Sequence, residues 1–214
     1  AGGLDPKMVM PGTGACSVAE TALMTSNAVK MGCAGVLMLP PFYYKDVSDD
    51  GLFSFFSEVI EKVADSQLQI YLYNIPPITK ISMSLDLIER LMTAYPNTIA
   101  GMKDTSGDWS YTEAVLQRFA PRGFRVFTGN EIFLLRTMQN GGYGCISSMV
   151  NIDPRRNAYL AAHWQDSNAD QLQAELDQVR AALIKFPTVP TMKAVIAHFS
   201  KDPGWARVRP PDRK

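Results

Sequence analysis

Residues 99–105 read Ile-Ala-Gly-Met-Lys-Asp-Thr, a short apolar run that leads directly into a lysine, an aspartate and a threonine. A run of this kind is the signature of a strand covered on both faces. An amine at its end keeps its stem in the core and its head at the strand's C-terminal tip. The same grammar recurs along the chain. Runs at 8–10, 35–39, 69–73, 99–102, 125–127 and 144–147 are expected as strands, and amphipathic stretches at 17–31, 50–64, 84–94, 111–119 and 131–140 are expected as the helices between them. Glu20 lies three residues after Ser17, a capping-box start. Gly141-Gly142 supplies the positive φ that ends a helix.

Polar or reactive residues follow nearly every strand: Gly12-Thr13-Gly14, Tyr43-Tyr44, Tyr73-Asn74, Lys103-Asp104-Thr105, Gly129-Asn130-Glu131 and Ser147-Ser148. A β/α series folds either as an open doubly wound sheet or as a barrel of eight units, and a ring of reactive strand ends suits the active face of a barrel. Six units fall short of eight, and the first expected strand begins within a few residues of Ala1. Beyond residue 153 the pattern is helical only, at 154–164, 169–185 and, after the Pro187–Pro190 break, 191–199. This divides the chain into a partial barrel at 1–153 and C-terminal helices at 154–214, with a loose tail from Arg207.

Composition narrows the function. The chain of 214 residues is 46% hydrophobic and 20% charged, with 21 basic and 21 acidic residues, so no basic field exists to hold nucleic acid. The uncharged stretch 31–44 is broken by Gly32, Gly35, Pro40 and Pro41 and is too short to cross a membrane. Residues 1–7 lack the apolar core of a signal peptide, which makes a cytoplasmic location the expectation. Cys16, Cys33 and Cys145 have no metal-binding spacing and are expected as reduced, buried thiols. With only His163 and His198 besides, no metal is expected. Met8, Met10, Met31 and Met38 are expected to fill the core.

Lys103 carries the most chemistry. Burial favours a neutral amine, and a neutral amine attacks a ketone to form a Schiff base that draws electrons from the neighbouring carbon. The competing reading is a snorkelling lysine at a strand end. Tyr73 closes the preceding strand, and in a parallel sheet its phenol lies within reach of Lys103 as a proton shuttle, unless it is a core aromatic with a satisfied hydroxyl. No dinucleotide fingerprint, Walker lysine, G-x-S-x-G elbow or H-E-x-x-H motif is present.

Four segments together resemble the dihydrodipicolinate synthase and N-acetylneuraminate lyase family of Schiff-base aldolases. They are Pro11-Gly12-Thr13-Gly14-Ala15 with Ser17 and Glu20, Pro41-Phe42-Tyr43-Tyr44, Tyr73-Asn74-Ile75-Pro76, and Gly101-Met102-Lys103-Asp104-Thr105-Ser106-Gly107-Asp108. The resemblance implies an α/β fold of the (β/α)8 TIM-barrel, class I aldolase type, with this sequence supplying strands three to eight and the C-terminal helical extension. It implies Lys103 as the imine-forming residue, Tyr73 as proton shuttle and Tyr43 as a relay residue often lent across a dimer interface. Thr105, Gly129, Asn130, Glu131, Ile146 and Ser148 are then expected to line the substrate, although the polar ones also suit turns and helix starts. The covalent imine replaces any cofactor, the partner is pyruvate or another 2-oxo acid, and the assembly is a homodimer or homotetramer.

The pattern departs from the family in two places. The family's first two strands, with the loop that holds the pyruvate carboxylate, have no counterpart here. Ile78 also stands where dihydrodipicolinate synthases carry an arginine for the aldehyde substrate's carboxylate, a contact that an aliphatic side chain cannot make. The expected activity is therefore cleavage of a hydroxylated, 3-deoxy 2-oxo acid to pyruvate and an aldehyde. The alternatives are the condensing synthase, a dehydratase using the same imine, and an inactive remnant.

Overall fold

A computed structural model describes residues 3–212; of the expected loose tail, residues 213–214 lie outside it. Among the described residues, five parallel strands form one sheet: β1 (Val36–Met38), β2 (Ile70–Asn74), β3 (Ile99–Asp104), β4 (Arg125–Thr128) and β5 (Gly144–Cys145). Their spatial order is the chain order, β1-β2-β3-β4-β5. A doubly wound sheet reverses its strand order midway, whereas a barrel adds each strand beside the last. The order therefore selects the barrel, of which these strands form an arc.

The linking helices are α1 (Val18–Lys30), α2 (Asp49–Val63), α3 (Pro76–Thr79), α4 (Leu85–Ala94), α5 (Trp109–Phe119) and α6 (Leu134–Gln139). Ser17, Ser48, Ser84 and Asp108 each accept a backbone N–H at the start of α1, α2, α4 and α5. The main core lies between these helices and the sheet, with Val36, Met38, Ile70, Leu72, Met102 and Val126 buried from the strands and Phe56, Leu91 and Phe119 from the helices. Then come α7 (Pro154–Ala162), α8 (Ala169–Leu183) and α9 (Thr188–Ser200). A second cluster joins Leu134 and Leu135 of α6 to Leu160, Ala169 and Leu176, so packing runs across the 153/154 boundary.

Several expectations need correction. Residues 8–10 are not a strand: Pro6–Met8 is a 3-10 turn. The chain beyond it only borders β1, through a Gly12–Leu37 bridge and the Leu37 N–H bonded to Pro11 O at 2.9 Å. Pro11 has no N–H to continue a ladder. The strand expected at 144–147 stops at Cys145, because Ser147 turns to cap the 3-10 turn Ser148–Asn151. The helix expected from 131 opens as a 3-10 turn, Glu131–Phe133. The last helix begins at Thr188 rather than 191, since proline is tolerated in a first turn whose N–H groups have no helical partner. Met38 is core, but Met8 and Met31 are exposed at a turn and a helix end, and Cys16 is exposed.

Candidate active site

Successive strand residues face opposite sides, so the face each side chain takes depends on register. Between β2 and β3, Ile70 pairs with Ile99 but Tyr71 pairs with Gly101, a bulge that passes over Ala100. That one-residue slip brings Tyr73 opposite Lys103 and Asn74 opposite Asp104. Glycine is needed at 101, where a Cβ would lie 2.1 Å from the Arg125 carbonyl oxygen and 2.9 Å from the Tyr71 ring. Tyr73 and Lys103 thus share the face away from the helices. Lys103 Nζ donates to the Tyr73 hydroxyl at 3.0 Å and lies 4.2 Å from the centroid of its ring. Both side chains are half-buried at the C-terminal ends of their strands.

The other expected residues divide. Thr105 directly follows β3, and its hydroxyl is buried without a hydrogen-bond partner among the described residues. Gly129 faces it, and a Cβ there would lie 1.9 Å from Thr105 Oγ1, so only glycine lets the two strand ends approach. Asn130 caps the 3-10 turn, its Oδ1 accepting from Ile132 N at 3.3 Å. Ile146 is half-buried, and its N–H bonds to Thr128 O at 2.9 Å. Ser148 is exposed; its neighbour Ser147 donates to Glu131 instead. Glu131 is only 2% exposed and its other carboxylate oxygen accepts from Arg180 Nη1 at 2.9 Å, so this side chain ties α8 to the end of β4. Tyr43 is 73% exposed, packs edge-on to Tyr44, and has no hydrogen-bond partner among the described residues. Among the described residues no hydrogen bond or ring contact joins it to the Lys103–Tyr73 pair.

Sequence reasoning assigned no role to the residues behind the pair. Asp104 is 2% exposed and accepts from Asn74 Nδ2 at 2.8 Å, Ser106 N at 3.1 Å, Ser106 Oγ at 2.9 Å and Thr112 Oγ1 at 2.5 Å. The signal available was alternation: a residue next to one that faces the interior must face the helices. Tyr111 donates to Met83 O at 2.6 Å beside this web, and its phenol is pushed well above the ordinary range by burial, with the Asp104 and Asp49 charges adding. Cys145 is pushed up to about 12, first by burial and then by the Glu131 charge, which leaves its thiol inert at neutral pH.

The arc thus pairs an amine and a phenol at its strand ends, the end at which a β/α barrel carries its active site. Residues 7–211 match the dihydrodipicolinate synthetase family, and the chain belongs to it. It is 33% identical over 193 residues to the 4-hydroxy-tetrahydrodipicolinate synthase of Methanosphaerula palustris, an overlap of 87% of this chain and 63% of that one. It is 27% identical over 199 residues to a DapA-like lyase of Chloroflexus aurantiacus, covering 92% of this chain and 66% of the relative. The chain thus spans a little under two thirds of the length of these relatives. Among solved structures, dihydrodipicolinate synthase from Agrobacterium tumefaciens superposes with a TM-score of 0.88 at 33% identity, over 99% of this chain and 71% of that one. YagE of E. coli, solved in complex with pyruvate, superposes at 0.81 with 26% identity, over 94% and 68% of the two chains. Among the described residues no helix is long and apolar enough to cross a membrane.

Proposed function

We propose that the protein is a Schiff-base carbon–carbon lyase acting on a 2-oxo acid, with Lys103 as the imine-forming amine and Tyr73 as its proton shuttle. The observation that carries this reading is the 3.0 Å contact between Lys103 Nζ and the Tyr73 hydroxyl on paired strands. Lys103 attacks the 2-oxo carbon, and Tyr73 gives its proton to the departing hydroxyl, which leaves as water and leaves behind a protonated imine and a phenolate. Tyr73 removes the proton of the substrate's 4-hydroxyl, the C3–C4 bond breaks to release an aldehyde, and the bonding pair moves into the imine to give an enamine. Protonation at C3 and hydrolysis then release pyruvate and restore the amine.

Thr105, Gly129, Asn130, Ile146 and Ser148 surround the tail of the substrate in this reading, with the buried Thr105 hydroxyl and the exposed Ser148 hydroxyl both without a protein partner among the described residues. Glu131 borders the same end of the sheet while its carboxylate holds Arg180. The exposed Tyr43–Tyr44 pair suits a subunit contact in a homodimer or homotetramer, the arrangement that brings Tyr43 to the relay of a neighbouring copy. A cytoplasmic location belongs to the same proposal.

The names of several relatives favour a second reading, condensation of pyruvate with aspartate semialdehyde. Ile78 counts against it: on α3 it is 73% exposed and offers no guanidinium to a carboxylate. The test is to incubate the full-length protein with pyruvate and borohydride and to map the adduct by mass spectrometry. A reduced adduct on Lys103 that is lost in Lys103→Ala is the expected result; no adduct on folded protein would overturn the reading. A panel of aldehydes offered with pyruvate separates the lyase from the synthase, since turnover with aspartate semialdehyde alone would favour the second.

A further inference from the structure

The bulge that sets Tyr73 opposite Lys103 also sets Asn74 opposite Asp104, one residue further along each strand. The first pair faces the interior, and the second faces the helices, with Asn74 1% and Asp104 2% exposed. We infer that Asn74 and Asp104 form a register lock that positions the Lys103 amine against the Tyr73 phenol. This rests on the reading of Lys103 given above.

The lock is directional. Asn74 Nδ2 donates to Asp104 Oδ1 at 2.8 Å, and Asn74 Oδ1 accepts from Met83 N at 3.2 Å, so the amide orientation is fixed at both ends. The remaining capacity of the Asp104 carboxylate is filled by Ser106 and by Thr112 in the first turns of α5. The backbones add to it: Thr105 N donates to Asn74 O at 2.7 Å, and Gly129 N to Asp104 O at 2.6 Å. One buried carboxylate therefore joins the ends of β2 and β3 to the helix that follows. A slip of one residue between these strands would turn either the amine or the phenol to the helix side. Asn74 and Asp104 touch no substrate in this arrangement, so they are positioning residues.

The chemistry predicts which substitutions break the lock. Asp104→Asn replaces one acceptor oxygen by an NH2 group, which the Ser106 and Thr112 hydroxyls must turn toward Asp108 O to accept, whereas Asn74→Asp sets two carboxylates face to face without water. The swap Asn74→Asp with Asp104→Asn restores a donor and an acceptor across the strands, leaving the Ser106 N–H as the one misfit. Thr112→Val removes a single donor and is the mildest change.

These variants of the full-length protein are to be compared with wild type in rate of pyruvate trapping by borohydride, kcat and KM for the aldehyde-releasing reaction, and melting temperature. Asn74→Asp is expected to lower kcat and the trapping rate at least tenfold, and Asp104→Asn about fivefold, while KM stays within about twofold. The swap is expected to regain most of that loss, and Thr112→Val to lower kcat about threefold. If the single variants fail to fold, the swap and Thr112→Val decide by the same criteria. Folded single variants that trap within twofold of wild type would overturn the lock. So would a swap that regains the melting temperature but not kcat, because the pair would then serve stability alone. Wild type that fails to trap pyruvate removes the reading of Lys103 itself, a result distinct from either of these.

Discussion

The two hydrophobic clusters of this molecule are assembled by different means. Between the sheet and α1, α2, α4 and α5, side chains such as Phe56, Leu72, Leu91 and Phe119 are fully enclosed, and the four helices start on side-chain caps. The cluster of α6, α7 and α8 buries only Leu134, Leu135, Leu160, Ala169 and Leu176, and α8 begins without a side-chain cap. What fastens α8 is directional: Gln173 Nε2 donates to Glu131 O at 3.0 Å, Gln173 Oε1 accepts from Leu135 N at 3.0 Å, and Arg180 meets the Glu131 carboxylate at 2.9 Å. The first region is held by area and shape, the second by a few polar contacts around one buried carboxylate. Removing carbon should therefore damage the first most, and removing charge the second.

The largest effect expected is from Phe56→Ala. Phe56 is 0% exposed, and truncating an enclosed phenylalanine leaves a cavity costing about 3–5 kcal/mol. Leu176→Ala, in a cluster with fewer buried neighbours that can close around the void, should cost nearer about 2 kcal/mol. Denaturant unfolding measures both. Equal losses would dissolve the distinction between the regions, and a Phe56→Ala loss below about 1 kcal/mol would mean the larger cluster is not the source of stability.

This difference in construction also explains what could be read from the residues alone. Apolar runs and helix starts are local, so β1 to β4 and the cap at Ser17 were open to sequence reasoning, and the neighbouring strand ends gave the pairing of Tyr73 with Lys103. Residues 8–10 misled because a Met-Val-Met run looks like a strand, while the prolines on either side limit the ladder it can make. The Asn74–Asp104 lock spans 30 residues, and the Glu131–Arg180 pair spans 49. Alternation puts Asn74 and Asp104 on the helix side just as it puts Tyr73 and Lys103 inside, but which polar groups meet behind the sheet has no periodic signal. Glu131 carries the clearest lesson, since a carboxylate after a strand looks like a substrate ligand until the arginine that occupies it is seen.

Arg180→Leu sharpens the contrast by removing charge while keeping volume. The Arg180 side chain is 21% exposed and Glu131 2%, so the change strands a carboxylate that retains only Ser147 as a side-chain donor. Breaking one side of a buried pair costs about 3 kcal/mol, whereas adding Glu131→Gln removes the uncompensated charge and should return most of that loss. Hydrogen exchange should show the single variant opening α8 ahead of β1 to β4. If the double variant is no more stable than Arg180→Leu, α8 is held by its apolar face and the polar account of this region fails.

The smallest effect lies on the surface of the larger region and sets the scale for the buried pair. Glu89 of α4 meets Arg122 at 2.7 Å and Arg118 at 3.4 Å. The hydrogen bond from Arg122 is the main cause that holds the Glu89 carboxyl below its ordinary value of 4.5. A carboxyl whose folded value is depressed stabilises the protein above its unfolded value, and that contribution is lost as pH falls through the folded one. Arg122→Gln should therefore be slightly less stable than wild type near neutral pH, with the gap closing below about pH 4.5 as the carboxylate protonates in both. Because the pair is exposed, salt should shrink the gap at neutral pH, while leaving the Arg180→Leu loss largely intact. Melting temperatures across pH and ionic strength separate the two cases. A gap at Arg122 that widened in acid would reverse the sign argued here, and an Arg180→Leu loss that vanished in salt would place Glu131 in the same screened class as Glu89.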